Sequence, residues 1–418
     1  MSWPFSPKTV SRRAKLASDG KRVQVPHLFL VPTTIRDLPL ELLYNVFEPL
    51  DNASMRACAL VCTRWRSIAQ RLAYRAPRLS SSASLYGFCD IVSRHPDVAN
   101  AVRALHIRGK ANYSSSLPTP WILEVPGRLS YLLPNIRSIA FDNIEGVHFH
   151  EKFWIALGGF TKVTSLTVES SRFYHDSNLR NMIFSFPGLT SLTLSNVHWA
   201  ALELLSCPRW KHALPLKVLR LNNIPDRGEY DRLFRWLGAL PTVRELELLG
   251  YSGEAHDLLA RFLHRVAEKG GSLECIKFAP TIVLYHRPFV KTFPELGLAL
   301  RRHRRLRELR LSITNMTSGP MAWVPSLLED LHSLPLAHIA LDFTLDLENA
   351  HRLIPEWSET NSRLQTQWRK TLRKVTLTHF PVGSFLSDAK VVQVLTSRLP
   401  YLFERKMLDV IIGERYHV

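Results

Sequence analysis

The chain has 418 residues, 46% of them hydrophobic and 22% charged, which is ordinary globular composition and excludes wholesale disorder, collagen and mucin-like stalks. Lys plus Arg exceed Asp plus Glu by 54 − 36 = 18, so the mean field around the molecule attracts anions: nucleic acid, acidic protein surfaces or phosphorylated ligands. The length fits either about three domains or one elongated repeat array.

Residues 8–22, KTVSRRAKLASDGKR, are basic and Ser-rich and read as part of a disordered tail over residues 1–32, with a nuclear signal or a transit peptide as the competing readings. No window approaches the roughly 18 consecutive apolar residues of a spanning helix, and no apolar stretch of a signal peptide follows the N-terminal charges, so a soluble, non-secreted protein is expected. Cys58, Cys62, Cys89, Cys207 and Cys275 form no CxxC pair and suit a reducing compartment. Cytoplasm, nucleus or both are expected.

Residues 33–76 change character and read as three short helices. Leu38, Leu42, Leu43, Val46, Phe47 and Leu50 recur at spacings that share one helical stripe. Pro39 suits a first helical turn, and Glu41 complements the helix dipole there. Pro49, Asp51 and Asn52 end this helix and offer an N-cap for the next. A third helix is expected from about Val61, with Val61, Trp65, Ile68, Ala69 and Leu72 on one stripe and Arg64, Arg66, Arg71 and Arg75 on its polar side. So small a unit cannot hide all its large apolar side chains. Either a partner covers them or the helices pack as a cap on the rest of the chain.

Two strings, LPLELLYNVFEPL from Leu38 and LVCTRW from Leu60, resemble the F-box motif. Met55, where Leu is usual in that family, is a swap of similar volume, and Thr63 stands where a basic residue is frequent. The resemblance implies docking onto the Skp-type adaptor of a cullin-RING ubiquitin ligase. Carried over position by position, the adaptor contacts or their support would be Leu38, Pro39, Leu42, Leu43, Val46, Phe47, Leu50, Val61, Cys62 and Trp65. Which of them face outward is not decided by periodicity. Cys58 and Cys62, four residues apart without further ligands nearby, are expected to be buried apolar filler and not a metal site.

The remaining chain repeats itself. The pattern apolar-x-x-apolar-x-apolar recurs as VRALHI, IRSIAF, VTSLTV, LTSLTL, LKVLRL, VRELEL, LECIKF, LRELRL, LAHIAL, LRKVTL and, less cleanly, MLDVII. The central apolar residues fall at 105, 139, 166, 192, 219, 246, 276, 309, 339, 375 and 410, ten steps averaging about 30 residues. Helix-like stretches such as YDRLFRWLGAL and AHDLLARFLHRVAEKG lie between copies. Steps of 26 and 27 residues, four in succession, argue against unrelated βα units.

This pattern resembles the leucine-rich repeat in its longer form, with the Asn that commonly follows the strand found only at Asn143, Asn196 and Asn223. The expected fold is therefore α/β: a basic tail (1–32), an F-box-like helical domain (33–80) and a right-handed leucine-rich-repeat solenoid of ten to eleven repeats (81–418), with a parallel sheet on the concave face and helices outside. The pattern's apolar residues point inward. Those between them line the concave face by alternation, from His106 and Arg108 through Thr167 and Thr193 to Lys374 and Thr376. Arg220, Glu247, Lys277, Arg310 and Lys374 on that face are the candidate substrate contacts.

No enzyme is expected, since phosphate loops, GxSxG and HExxH are absent and no carboxylate pair or Ser/His/Asp set stands out. His148-x-His150 has the only ligand-like spacing, without a cluster to complete it; neither metal nor cofactor is expected. Residues 301–310, RRHRRLRELR, are the densest charge run, read as a solvated helix end or as a receiver of a phosphorylated or acidic segment. Three functions compete: a substrate-recognition adaptor for ubiquitination, a basic nucleic-acid-binding repeat protein, and a scaffold whose N-terminal helices only cap the solenoid.

Overall fold

The fold was obtained as a computed structural model, which describes residues 38–109, 120–144, 149–201, 214–223, 233–234, 237, 242–251, 256–271, 273–280, 296–313, 328–343, 361–366, 370–379 and 388–412. The tail, Cys207, His148 and most of the YDRLFRWLGAL stretch lie outside them. The chain divides into two compact units, Met1–Leu50 and Asp51–Val418.

In the first unit, helix α1 spans Leu40–Phe47. Pro39 stands one residue before the expected first turn, at the N-cap, where its carbonyl accepts from the amides of Leu42 and Leu43. Proline has no N–H to leave unpaired, so either position suits it.

In the second unit, α2 (Asn52–Ala59) and α3 (Thr63–Ala73) come first. Twelve strands then form one parallel sheet: β1 (Arg78–Leu79), β2 (Ala104–Arg108), β3 (Ser138–Asp142), β4 (Ser165–Glu169), β6 (Ser191–Ser195), β8 (Val218–Asn222), β9 (Glu245–Tyr251), β10 (Cys275–Pro280), β11 (Glu308–Ile313), β12 (His338–Phe343), β13 (Lys374–His379) and β14 (Leu408–Ile412). Between them lie α4 (Ser82–Arg94), α5 (Pro96–Ala101), α6 (Trp121–Leu129), α7 (Glu151–Leu157), α8 (Asp176–Phe184), α9 (His256–Glu268), α10 (Asp388–Arg398) and α11 (Pro400–Glu404). Parallel neighbours in chain order, with helices among their connections, make the architecture a leucine-rich-repeat solenoid preceded by helices.

Register confirms the repeat residue by residue. Leu105 pairs with Ile139, Ile139 with Leu166, Leu166 with Leu192, and the row continues through Leu219, Leu246, Ile276, Leu309, Ile339 and Val375. All ten are at most 1% exposed. The last anchor is a correction: Val375 pairs with Leu408, two residues before Val410. A shift of two keeps the same face inward, so alternation cannot distinguish the two positions. Each fully buried Leu, Ile or Phe contributes about 1.5–3 kcal/mol.

The turn after the strand also repeats. Asn143, Ser170, Asn196 and Asn223, each just past its strand, and Gly250, at the penultimate position of β9, occupy the left-handed region, with φ between 45° and 63°. The amides of the first four donate across to the neighbouring strand of the sheet, to the carbonyls of Glu169, Ser195, Asn222 and Leu249, at 2.7–3.0 Å. Asn tolerates this conformation better than most residues, which is why it recurs there. A Cβ on Gly250 would lie 2.2 Å from Asn223 Oδ1, so this position requires glycine twice over. Beyond the turn, β5 (Arg172–His175) and β7 (His198–Ala201) form a second, two-stranded parallel sheet that the apolar pattern does not announce.

Candidate docking site

In α1 two adjacent columns of the helix meet different environments. Leu43 and Phe47, four residues apart, are at most 1% exposed, whereas Leu40, Leu42 and Val46 are 46–47% exposed. Leu38 and Leu50 are half-buried and Pro39 is exposed. Exposed leucine and valine in one helix leave an apolar strip facing solvent.

In the second unit, Asp51 caps α2: its carboxylate accepts from the Ser54 amide at 2.7 Å, and hydrogen bonding from Ser54 lowers its pKa. The chain then turns, with the Leu60 amide donating to Ala57 and the Val61 amide to Cys58. That turn ends the helical course before Val61, so α3 begins at Thr63 and Val61 lies outside the expected stripe. Leu60 and Val61 are 80% and 56% exposed. Cys62 is the N-cap residue of α3, and Ile68 and Ala69 are its buried positions, with Trp65 half-buried. Cys58 and Cys62 carry free thiols and are half-buried, less enclosed than expected.

A groove of about 880 Å³ runs beside this turn, lined by Met55, Arg56, Leu60 and Gln70 of the helical part and by Arg78, Phe88, Ile91 and His106 farther on. Burial, reinforced by the Arg78 charge, lowers the pKa of His106.

On the face of the sheet turned away from the core, Arg220, Glu247, Lys277 and Arg310 stand in one row on β8–β11, and Lys374 lies in the adjacent row. Glu247 receives Arg220 Nε at 3.1 Å and Lys277 Nζ at 3.3 Å, so one carboxylate bridges two cations across strands and the trio keeps one net positive charge. Lys374 pairs with Asp409 at 3.0 Å.

One constellation was not expected. His338 Nε2 is 2.9 Å from Thr376 Oγ1, and His338 Nδ1 is 3.2 Å from Glu308 Oε1. Three different repeats supply these residues, so only strand stacking brings them together. Arg310 donates to the same Glu308 oxygen at 2.7 Å. Burial raises the Glu308 carboxyl, but the hydrogen bond and charge of Arg310 outweigh it and the pKa falls. Cys275 beside it is pushed up to about 12, by burial first and by Glu308 next. The Thr376 side is closed to solvent, at 8% exposure, and the thiol is held protonated, so the cluster ties strands together and presents no open nucleophile.

The 301–310 run is divided rather than continuous. Arg301 bonds to the Asp330 carbonyl and lies 3.6 Å from its carboxylate, Arg302 reaches Glu268 at 4.0 Å, and His303 is fully buried. Arg304, Arg305 and Arg307 are exposed. Among the described residues, no group of three or more His, Cys, Asp or Glu could hold a metal ion, and no helix is long and apolar enough to cross a membrane.

Residues 35–80 match the F-box-like family model. The chain carries an F-box-like segment. No curated protein matches it. Among solved structures, human 5T4 (Wnt-activated inhibitory factor 1, trophoblast glycoprotein) is similar at 17% identity and TM-score 0.29 over 54% of this chain and 76% of that one. A Bacteroides fragilis protein is similar at 11% identity and TM-score 0.34 over 82% of this chain and 75% of that one. The repeat architecture stands on the strand register and needs no support from these weak likenesses. The F-box-like segment and the repeats together make the chain a protein-interaction adaptor.

Of the residues expected at the docking site, Pro39, Leu42, Val46 and Val61 are exposed, Leu43 and Phe47 are buried, and Leu38, Leu50, Cys62 and Trp65 lie between. Leu40 and Leu60 were missed as surface candidates. Both stand inside the motif strings, and only the turn found in the structure at Val61 explains why Leu60 is exposed.

Proposed function

We propose that this chain is the substrate-recognition subunit of a cullin-RING ubiquitin ligase. An F-box-like domain over 33–80 docks a Skp-type adaptor, and the repeat array over 81–418 presents a protein substrate for ubiquitination. The observation that carries the reading is the exposed apolar set Leu42, Val46, Leu60 and Val61 within the F-box-like segment, since side chains of this size left in water need a partner to cover them. Leu42 and Val46 of α1, and separately Val61, touch the adaptor; Leu43 and Phe47 set the helix that presents Leu42 and Val46; Leu38, Pro39, Leu50, Cys62 and Trp65 support these contacts. The bridged row Arg220–Glu247–Lys277, with Arg310 and Lys374, is a polar reading surface for the substrate, where a wrong partner meets unmatched charge. No bond is made or broken by this chain, which works in the cytoplasm, the nucleus or both.

The test is binding of the full-length chain to a purified Skp-type adaptor. Leu42→Ala with Val46→Ala, both at exposed positions, should leave the circular dichroism spectrum unchanged and weaken adaptor binding roughly ten-fold or more. Undiminished affinity in the folded double variant would overturn the docking assignment.

A further inference from the structure

Before each strand stands one residue between the buried apolar position that closes the turn and the first paired position. In the ten repeats from β2 to β13 this residue is basic six times: Arg103, Arg137, Lys217, Arg244, Arg307 and Arg373. With 54 Lys and Arg in 418 residues, one or two would be expected by composition.

The backbone places them in a single row. The Arg137 amide donates to the Arg103 carbonyl at 2.7 Å and that of Arg244 to Lys217 at 2.8 Å; Arg307 and Arg373 bond in the same way to Glu274 and Ala337. Neighbours therefore stand one strand spacing apart, ~4.8 Å, and the row runs about 43 Å along the edge of the sheet. Arg137, Lys217, Arg307 and Arg373 are exposed and make no ion pair with any described residue, and the exposed Arg304 and Arg305 stand in the turn just before Arg307. Arg103 with Arg137 and Lys217 with Arg244 are like charges held one strand apart, which repel, and an anionic partner lying along the row relieves them.

We propose that this edge, at the amino ends of the strands, binds an acidic, extended segment of a protein partner. Arginine forks take carboxylates in paired hydrogen bonds, and arginine supplies five of the six cations. The row is interrupted by Thr164 and Thr190, by Ala337, and by Glu274, whose carboxylate lies 3.7 Å from Arg244. A uniformly charged phosphate chain would meet that carboxylate and find no aromatic in the row on which to stack a base. A polypeptide can place its acids opposite the cations and leave the gaps empty. The inference names the substrate class for the receptor function proposed above and rests on it only for the partner's role; anion binding at the edge stands apart from adaptor docking.

The probe is fluorescently labelled polyglutamate, with duplex DNA of equal charge in parallel, titrated with the full chain at low and high salt. The triple change Arg137→Glu, Lys217→Glu, Arg307→Glu should weaken polyglutamate binding roughly ten-fold or more. A matched reversal off the row, at Lys152, Arg172 and Lys269, should weaken it far less. Should the triple reversal fail to fold by circular dichroism, Arg137→Gln, Lys217→Gln, Arg307→Gln takes its place. Equal losses in the two sets, or no loss in either, overturn the assignment, and tighter binding of duplex than of polyglutamate overturns it in favour of nucleic acid. Adaptor binding retained in the edge variants is expected; loss of adaptor binding only in the Leu42/Val46 variant separates failure of docking from failure at the edge.

Discussion

His303 gives the repeat array a built-in sensitivity to acid. It is fully buried, Nε2 lies 3.1 Å from the Leu263 carbonyl, and Nδ1 finds no hydrogen-bond partner among the described residues. Burial lowers its pKa from 6.5 to about 4; the bond to Leu263 opposes this and the His264 charge adds to it. The folded state thus holds a neutral ring where the unfolded chain would bind a proton. Stability from this group is complete above pH 6.5 and is lost as pH falls toward 4, because the unfolded state then binds more protons. Two and a half units correspond to about 3 kcal/mol in full, of which about 2 kcal/mol is lost by pH 5. Urea unfolding followed by circular dichroism at pH 8 and pH 5, on the natural chain and on His303→Gln, cancels the other titrating groups. The gap between the two proteins should close by about 2 kcal/mol at the lower pH. A gap equal at both pH values would refute the neutral-ring account.

Gly250→Ala forces a Cβ to 2.2 Å from Asn223 Oδ1 on a residue at φ +63°, and should cost more than the ~1 kcal/mol of a left-handed alanine alone, read as a lower urea midpoint. Ser81→Ala removes a capping box in which Ser81 Oγ accepts from the Ser84 amide and Ser84 Oγ from the Ser81 amide; about 1 kcal/mol should be lost, with earlier amide exchange in the first turn of α4.

The strands were legible because each repeat must bury the same two apolar positions against the helices, which writes period and register into the chain together. Asn143, Asn196 and Asn223 were legible for a similar reason: one backbone conformation recurs and few residue types tolerate it. Ser170 performs the same turn without the usual side chain, and so gave no signal. The slip from Val410 to Leu408 was invisible, since both satisfy the same alternation. At the proposed docking site the motif names candidate residues but not their faces: Leu42 with Val46 and Leu43 with Phe47 have identical spacing, and only packing separates the exposed column from the buried one. The Glu308–His338–Thr376 cluster is assembled across two crossovers, from residues 30 and 38 positions apart, a distance no local pattern encodes.

The pairing of Leu166 with Leu192 spans 26 residues and that of Ile339 with Val375 spans 36, yet both fall in one unbroken register. Length is therefore a free variable in the connections and a fixed one at the sheet. A connection can gain ten residues without disturbing the order in which the strands display their side chains, so this scaffold can change its bulk while keeping its reading frame.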